Sequence, residues 1–244
     1  RLQEHEIPAT PYHAGLDPEA RQRALTQFLD QERPVLVATV AFGMGVDRGD
    51  VGLVLHLDLP STPEGYLQES GRAGRDGLPA DCLVLFSPGD RTSLGWAMQA
   101  GARGERSADE RSRLDLAQQQ LRKMEAVAEG EMCREQALLL TVGELVQPCG
   151  RCDRCTATLH RRDWSAQAHT LLEHLAEKDG TDLRRLGERL ALLEPGRNER
   201  WTWLARRLVQ EELIRESDDG VQRLYLRDSG RRFLDAPWPL DYAA

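Results

Sequence analysis

The sequence predicts an α/β domain built on a parallel sheet, followed by a helical unit and then by three helices and a hairpin. Three observations carry that prediction. Short apolar runs rich in valine and leucine alternate with amphipathic stretches over residues 1–90, the character changes to helix only from about Pro88, and a two-residue turn signal separates two β-rich runs near the end.

Each element has a local reason. Asp17-Pro18 supplies an N-cap and a first helical residue, opening a helix that runs to about Gln31 with Leu25, Phe28 and Leu29 on one face. VLVATVA after Pro34, and VGLVLHLDL from Val51 to Leu59, are continuous apolar runs of the kind found in strands buried on two faces. A helix from about Pro63 to Ala73 and a third strand, CLVLF (Cys82 to Phe86), follow. Strands joined through helices pair in parallel by right-handed crossovers.

Helical periodicity then covers 88–100, 107–129 and 131–140, with GARGERS (Gly101 to Ser107) as the break between the first two. A cysteine-bearing turn, QPCGRCDRC, comes next, and the polar run from His160 to Ser165 reads as a linker. Helices at 166–177, 182–192 and 198–212 precede LIRESDDGVQRLYLRD, two strands around Asp219-Gly220. Three helices and a hairpin is the winged-helix order, a variant of the helix-turn-helix. The expected division is 1–90, 91–160 and 161–236, with a loosely ordered tail at 237–244 containing two prolines.

Composition narrows the function. The 244 residues are 40% hydrophobic, enough to bury a core, and carry 32 basic against 40 acidic groups for a net charge of −8. Acidity argues against a nucleic-acid partner, but residues 1–90 hold 7 basic and 14 acidic groups, so the excess is confined there and the rest can still present basic faces. No apolar run approaches the ~18 residues of a membrane span, and RLQEHEIPAT lacks the apolar region of a signal peptide. The expectation is a cytoplasmic chain with no membrane partner. It starts mid-pattern at Arg1, so a preceding portion is expected. Only Lys123 and Lys178 are lysines and neither follows a glycine, so this stretch holds no Walker-type phosphate loop.

Four of the five cysteines form one pattern, Cys133, Cys149, Cys152 and Cys155. Soft ligands on tight turns suit tetrahedral zinc, and Gly150 lets the backbone bend toward the sulfur atoms. An iron–sulfur cluster and disulfides are the alternatives; the ferredoxin run places a fourth cysteine soon after the third, and a fifth cysteine in an apolar strand (Cys82) fits a reducing compartment.

The most specific string is QESGRAGRDG, Gln68 to Gly77, after a helix that follows a strand. Arg72 and Arg75, three apart, can reach one anion from a helix end, although alone they could be a solvated pair. They are preceded by YHAGLDPEAR (Tyr12 to Arg21) and ATVAFGMGVDRGDV (Ala38 to Val51). In this order the three strings resemble motifs IV, V and VI of superfamily 2 helicases, and their wording is similar to the RecQ family of ATP-dependent DNA helicases. DEAD-box RNA helicases share the paired arginines but typically have His where this chain has Gln68. The cysteine pattern and the winged helix follow in the RecQ order, so the resemblance covers about residues 8 to 235.

The resemblance implies a RecA-like helicase lobe, a helical zinc-binding subdomain and a winged-helix domain, together the C-terminal portion of a 3′-to-5′ DNA helicase acting in replication, recombination and repair in a bacterial, nucleoid-associated setting. It implies Arg75 as the arginine finger to the γ-phosphate, Arg72 beside it and Gln68 coupling nucleotide to DNA. Asp47 and Gly45 belong by the same token to the nucleotide site, Thr39 to the DNA backbone, and His13 either to DNA or to the fold. Met44, between Gly43 and Gly45, reads as packing. ATP and Mg²⁺ would bind at the interface with an N-terminal RecA-like lobe carrying the phosphate loop, so ATPase activity is not expected of this stretch alone. DNA at single-strand/duplex junctions is the implied partner.

The last helix, NERWTWLARRLVQEELI, puts Trp203, Leu204, Leu208 and Leu213 toward a core, with Arg200, Arg206 and Arg207 outside as candidate phosphate contacts. Arg184, Arg185 and Arg223 are further candidates. Two features depart from the family: the ALLEPGRNE segment is short, and the hairpin tip Asp218-Asp219-Gly220 is acidic and lacks an aromatic to split base pairs. The alternative reading is a stand-alone, zinc-stapled winged-helix module with a vestigial helicase lobe. Retention of both arginines disfavours it, because a binder needs no finger.

Overall fold

The computed structural model describes residues 2–39, 48–100, 107–192, 198–217 and 222–243. The chain forms two compact units, 1–60 with 64–85, and 61–63 with 86–244.

In the first unit β1 (Ala9–Tyr12) pairs in parallel with β2 (Val35–Ala38), and α1 (Pro18–Asp30) joins them. The Asp17 carboxylate accepts the Ala20 amide at 2.7 Å, and Pro18 occupies the first turn, as the sequence predicts. A second parallel pair, β3 (Leu53–His56) with β4 (Asp81–Val84), is bridged by α2 (Pro63–Ser70). The strands are not buried on two faces. Leu53, Leu55, Leu83 and Leu85 are about half exposed, while the alternating Val54 and His56 are covered. Among the described residues a 3-10 turn (Leu2–His5), α1 and α2 serve this unit, and they leave one side of its strands half exposed. Ala24 and Phe28 form the buried stripe of α1, and Leu29, expected with them, is exposed.

The second unit begins with three helices, α3 (Pro88–Ala100), α4 (Ala108–Glu129) and α5 (Arg134–Thr141), and a short α6 (Asp153–Thr156). Ser107 and Glu110 close a capping box on α4. Then come β5 (Arg161–Asp163), α7 (Ser165–Glu177), β6 (Thr181–Asp182), α8 (Leu183–Leu190), α9 (Asn198–Gln210), β7 (Ile214–Glu216), β8 (Arg223–Leu226), α10 (Asp228–Asp235) and β9 (Asp241–Ala243). β7 and β8 pair antiparallel as the expected hairpin, β6 adds to the far side of β8, and the tip residues 218–221 lie outside the described residues.

One core fills this part, with Leu171, Leu172, Leu175, Leu204, Leu208 and Phe233 fully buried. Two expectations change. His160 to Ser165 is not a linker: β5 lies within it, and Trp164 is buried in the core. The tail is not loose, because β9 pairs antiparallel with β5, and Leu240 and Tyr242 enter the same core. Both runs were short and aperiodic, and their partner lies about eighty residues away, so no local pattern reveals them. The unforeseen α10 buries Phe233, and a Cβ at its Gly230 would collide with the Leu213 carbonyl. Trp203, half-buried, packs against this core as expected, and Trp201 is buried in it as well.

Candidate metal centre and arginine motif

Cys133 is the N-cap of α5, Cys152 the N-cap of α6, and Cys155 lies inside α6. Between them Gly150 takes φ +71°, the left-handed conformation that turns the knuckle back toward Cys133. The four Sγ atoms lie within 4.8 Å of one another. Backbone amides point at them: Cys149 N–H donates to Cys133 Sγ at 3.2 Å, and those of Arg134 and Cys152 donate to Cys152 and Cys149 Sγ at 3.4 Å.

These contacts favour thiolates. Burial opposes ionisation of Cys133, yet the Cys149 and Gln136 amides outweigh it and hold the thiol at about 6. Cys152 is lowered in the same way, against burial, by the amides of Arg134 and Cys155. Cys155 is pushed up to about 12 by burial and by its sulfur neighbours. Four sulfurs this close do not all ionise without a cation among them.

The donor set fits one tetrahedral ion. Sulfur atoms bound at ~2.3 Å to a single zinc stand about 3.8 Å apart, within the observed 4.8 Å span. A cubane cluster interposes several iron atoms and spreads its cysteines farther. All five cysteines are free of disulfides. Zinc would be held by Cys133, Cys149, Cys152 and Cys155 with no open position, the signature of a structural site. Around it Arg134 donates through Nε and Nη2 to both oxygens of Asp153, at 2.9 and 2.7 Å.

The arginine motif starts on α2 and continues into a turn. Gln68 is exposed on the helix; Arg72, half-buried, and Arg75, exposed, stand after its end at Ser70, not on the helix. Arg75 Nε donates to the Gly71 carbonyl at 3.1 Å. Gly74 takes φ +63°, and its amide donates to the Val51 carbonyl, which ties the run to the start of β3. Sequence reasoning missed what anchors the helix. His56 Nε2 of β3 meets Glu69 Oε2 of α2 at 2.7 Å, and the His56 and Tyr66 rings stand 5.1 Å apart.

Thr39 and His13 come together. They directly follow the paired residues Ala38 and Tyr12, and the Thr39 amide donates to the Tyr12 carbonyl, so both exposed side chains belong to the carboxyl ends of adjacent parallel strands. That is where open α/β sheets bind ligands. Asp47 and Gly45, with Gly43 and Met44, lie outside the described residues. Just after them Arg48 donates to the carbonyls of Gln31 (2.9 Å), Leu29 (3.3 Å) and Phe28, and pairs with Asp50 at 2.6 Å. It thereby caps the end of α1.

In the winged helix, Arg184 and Arg185 are exposed in the first turn of α8, whose Asp182 cap accepts their amides; Arg184 also pairs with Glu188 at 2.9 Å. Arg200 and Arg223 are exposed. Arg206 and Arg207 correct the sequence reading: they are only 9% and 7% exposed. Arg206 pairs with Glu129 and Arg207 with Glu131, acids at and just past the end of α4 that lie more than 75 residues upstream.

Comparison with known proteins agrees with this geometry. Residues 1–77 match the family model described as the helicase conserved C-terminal domain, and residues 88–156 match RecQ zinc-binding. The ATP-dependent DNA helicase RecQ of Bacillus subtilis is 31% identical over 96% of this chain and 42% of its own length. The helicase hus2/rqh1 of Schizosaccharomyces pombe is 38% identical over 72% of this chain and 13% of its own. RecQ of Haemophilus influenzae is 37% identical over 63% and 24%. A lobe with paired arginines joined to a four-cysteine module defines a helicase C-terminal region. By these matches the chain carries a helicase C-terminal domain followed by a RecQ zinc-binding domain, and it spans less than half the length of these relatives.

Proposed function

We propose that this chain is the C-terminal portion of a RecQ-type, ATP-dependent 3′-to-5′ DNA helicase. The observation that carries the reading is the arginine run held by the His56–Glu69 contact and the Gly74–Val51 bond in a chain that also has a RecQ zinc module. ATP and Mg²⁺ bind where a preceding RecA-like lobe supplies the phosphate loop. Arg75 neutralises charge developing on the γ-phosphate, Arg72 assists, and Gln68 links nucleotide state to DNA. Asp47 and Gly45 belong to the nucleotide site. Thr39 and His13 meet the DNA backbone of a single-strand/duplex junction at the strand ends, and Arg184, Arg185, Arg200 and Arg223 contact phosphates of the duplex. Zinc has no part in the reaction beyond holding its module folded. Free thiols in such a module suit the cytoplasm.

The test is steady-state ATPase and unwinding by the full-length protein. An arginine finger contributes about 10³–10⁵ in rate, so Arg75→Ala should abolish DNA-stimulated turnover while nucleotide and DNA binding persist. ATPase unchanged in that variant sinks the reading. DNA binding without turnover in the wild-type protein would favour the binding module instead.

A further inference from the structure

The end of α4 is shared by two structures that have no sequence proximity, the cysteine knuckle and the winged helix. On the knuckle side everything passes through Arg134. Its neighbour Cys133 is one of the four clustered thiols, its own amide donates to Cys152 Sγ at 3.4 Å, and one edge of its guanidinium, Nε and Nη2, grips both oxygens of Asp153, the residue after Cys152, at 2.9 and 2.7 Å. The remaining nitrogen, Nη1, donates to three carbonyls at the end of α4, those of Ala128 (2.9 Å), Gly130 (3.3 Å) and Val127. Those carbonyls are the ones a helix end leaves without partners. Arg154 adds a bond to the Glu129 carbonyl at 3.3 Å.

On the other side the same few residues hold the winged helix. Glu129 takes Arg206 of α9 at 2.8 Å, and Glu131 takes Arg207 of α9 at 3.1 Å. Glu131 also accepts the Ala243 amide of β9 at 2.7 Å and pairs with Arg161 of β5. The side chains of Glu129, Glu131, Arg206 and Arg207 are each at most 10% exposed. Buried ion pairs of this kind add little net stability, because desolvation offsets attraction, but they tolerate only one geometry. Their carboxylates are placed by the backbone that Arg134 caps.

We propose that Arg134 is the positioning residue through which the metal centre sets the orientation of the winged-helix domain. The proposal rests on a single ion occupying the four thiols. The ion fixes Cys152 and Cys155, hence Asp153 between them. Asp153 fixes the guanidinium, the guanidinium holds the last turn of α4, and that turn holds Glu129 and Glu131 against α9, β5 and β9. When the ion leaves, the winged helix keeps its own core around Leu171, Leu204 and Phe233 but loses its fixed seat.

Hydrogen–deuterium exchange with metal analysis tests this on the chain itself. Chelation under reducing conditions should raise exchange at 127–131, 161–163 and 241–243 by about tenfold and leave the α7 core peptide unchanged. Arg134→Gln should reproduce that pattern with zinc still present at one per chain, and Asp153→Asn should do the same from the knuckle side. Wild-type protection in zinc-loaded Arg134→Gln overturns the proposal. So does loss of α7 protection on chelation, which would make the metal a condition of folding, and so does loss of zinc from both variants. A wild-type chain that purifies with no metal at this site overturns the zinc reading separately.

Discussion

Arg206 Nη2 of α9 lies 2.8 Å from Glu129 Oε1 of α4, and neither side chain is more than 10% exposed. The helix that a winged-helix fold ordinarily offers to a duplex therefore turns two of its arginines inward. The exposed basic groups of this domain among the described residues lie elsewhere, in the first turn of α8, at the start of α9, on the hairpin strands and on α10 among other places.

Removing one partner of that pair should be costly. Arg206→Ala or Glu129→Ala leaves a buried charge unpaired, at about 3–5 kcal/mol of unfolding free energy, whereas replacing both with apolar residues of similar volume should be close to neutral. Urea unfolding of the two single variants and the double variant measures this. A double variant whose loss is the sum of the two single losses would show that the pair makes no specific contribution.

Affinity for DNA should separate the exposed arginines from the buried ones. Arg185→Ala and Arg200→Ala should each weaken duplex binding without regard to sequence and lower the slope of log K against log salt by about one. Conservative replacement of Arg207 should leave that slope unchanged. Titrations at several salt concentrations distinguish the two groups.

The contribution of Glu125 to stability should fall as pH rises from mildly acidic toward neutral. Burial, partly offset by Arg91 and reinforced by Glu129 and Glu216, raises the Glu125 carboxyl from 4.5 to about 6. A carboxyl raised on folding binds its proton more tightly in the native state, so its contribution is fully present below the unfolded value and is lost as pH climbs through the folded one. The size is about 2 kcal/mol at 1.36 kcal/mol per pKa unit. Glu125→Gln keeps the bond to Arg91 and should be more stable than wild type at pH 8 and indistinguishable near pH 4.5, as read by denaturant midpoints. A stability difference between wild type and Glu125→Gln that does not change over that window contradicts this.

The metal should be bound in proportion to the thiols that hold it. Cys149→Ser and Cys155→Ser should each abolish stoichiometric zinc, and acidification should release it as ligands protonate. Cys82→Ser, in β4 and remote in sequence from the cluster, should retain one zinc per chain by metal analysis.

The sequence by itself determined everything that depends on short spacings. Asp17-Pro18 starts a helix because cap and first turn are adjacent; the cysteine pattern gathers four sulfurs because two-residue gaps and Gly150 make a tight turn; QESGRAGRDG and the two strings before it specify a helicase lobe. Local signals of this kind survive without any knowledge of packing. The second unit followed the expected helix order down to the hairpin for the same reason.

Only the tertiary structure decided which charges are surfaces and which are joints. Arg206 and Arg207 stand on α9 at positions that periodicity alone leaves open, and Glu129 and Glu131, 77 and 76 residues away, determine that they are buried. His56 and Glu69 likewise become a contact only when β3 and α2 pack. Residues 161–163 and 241–243 are too short and polar to announce strands, and each is one only because the other supplies its hydrogen bonds. A charged or aperiodic segment carries no local free-energy preference strong enough to fix its fate. Its partner does, and the partner is chosen by the fold.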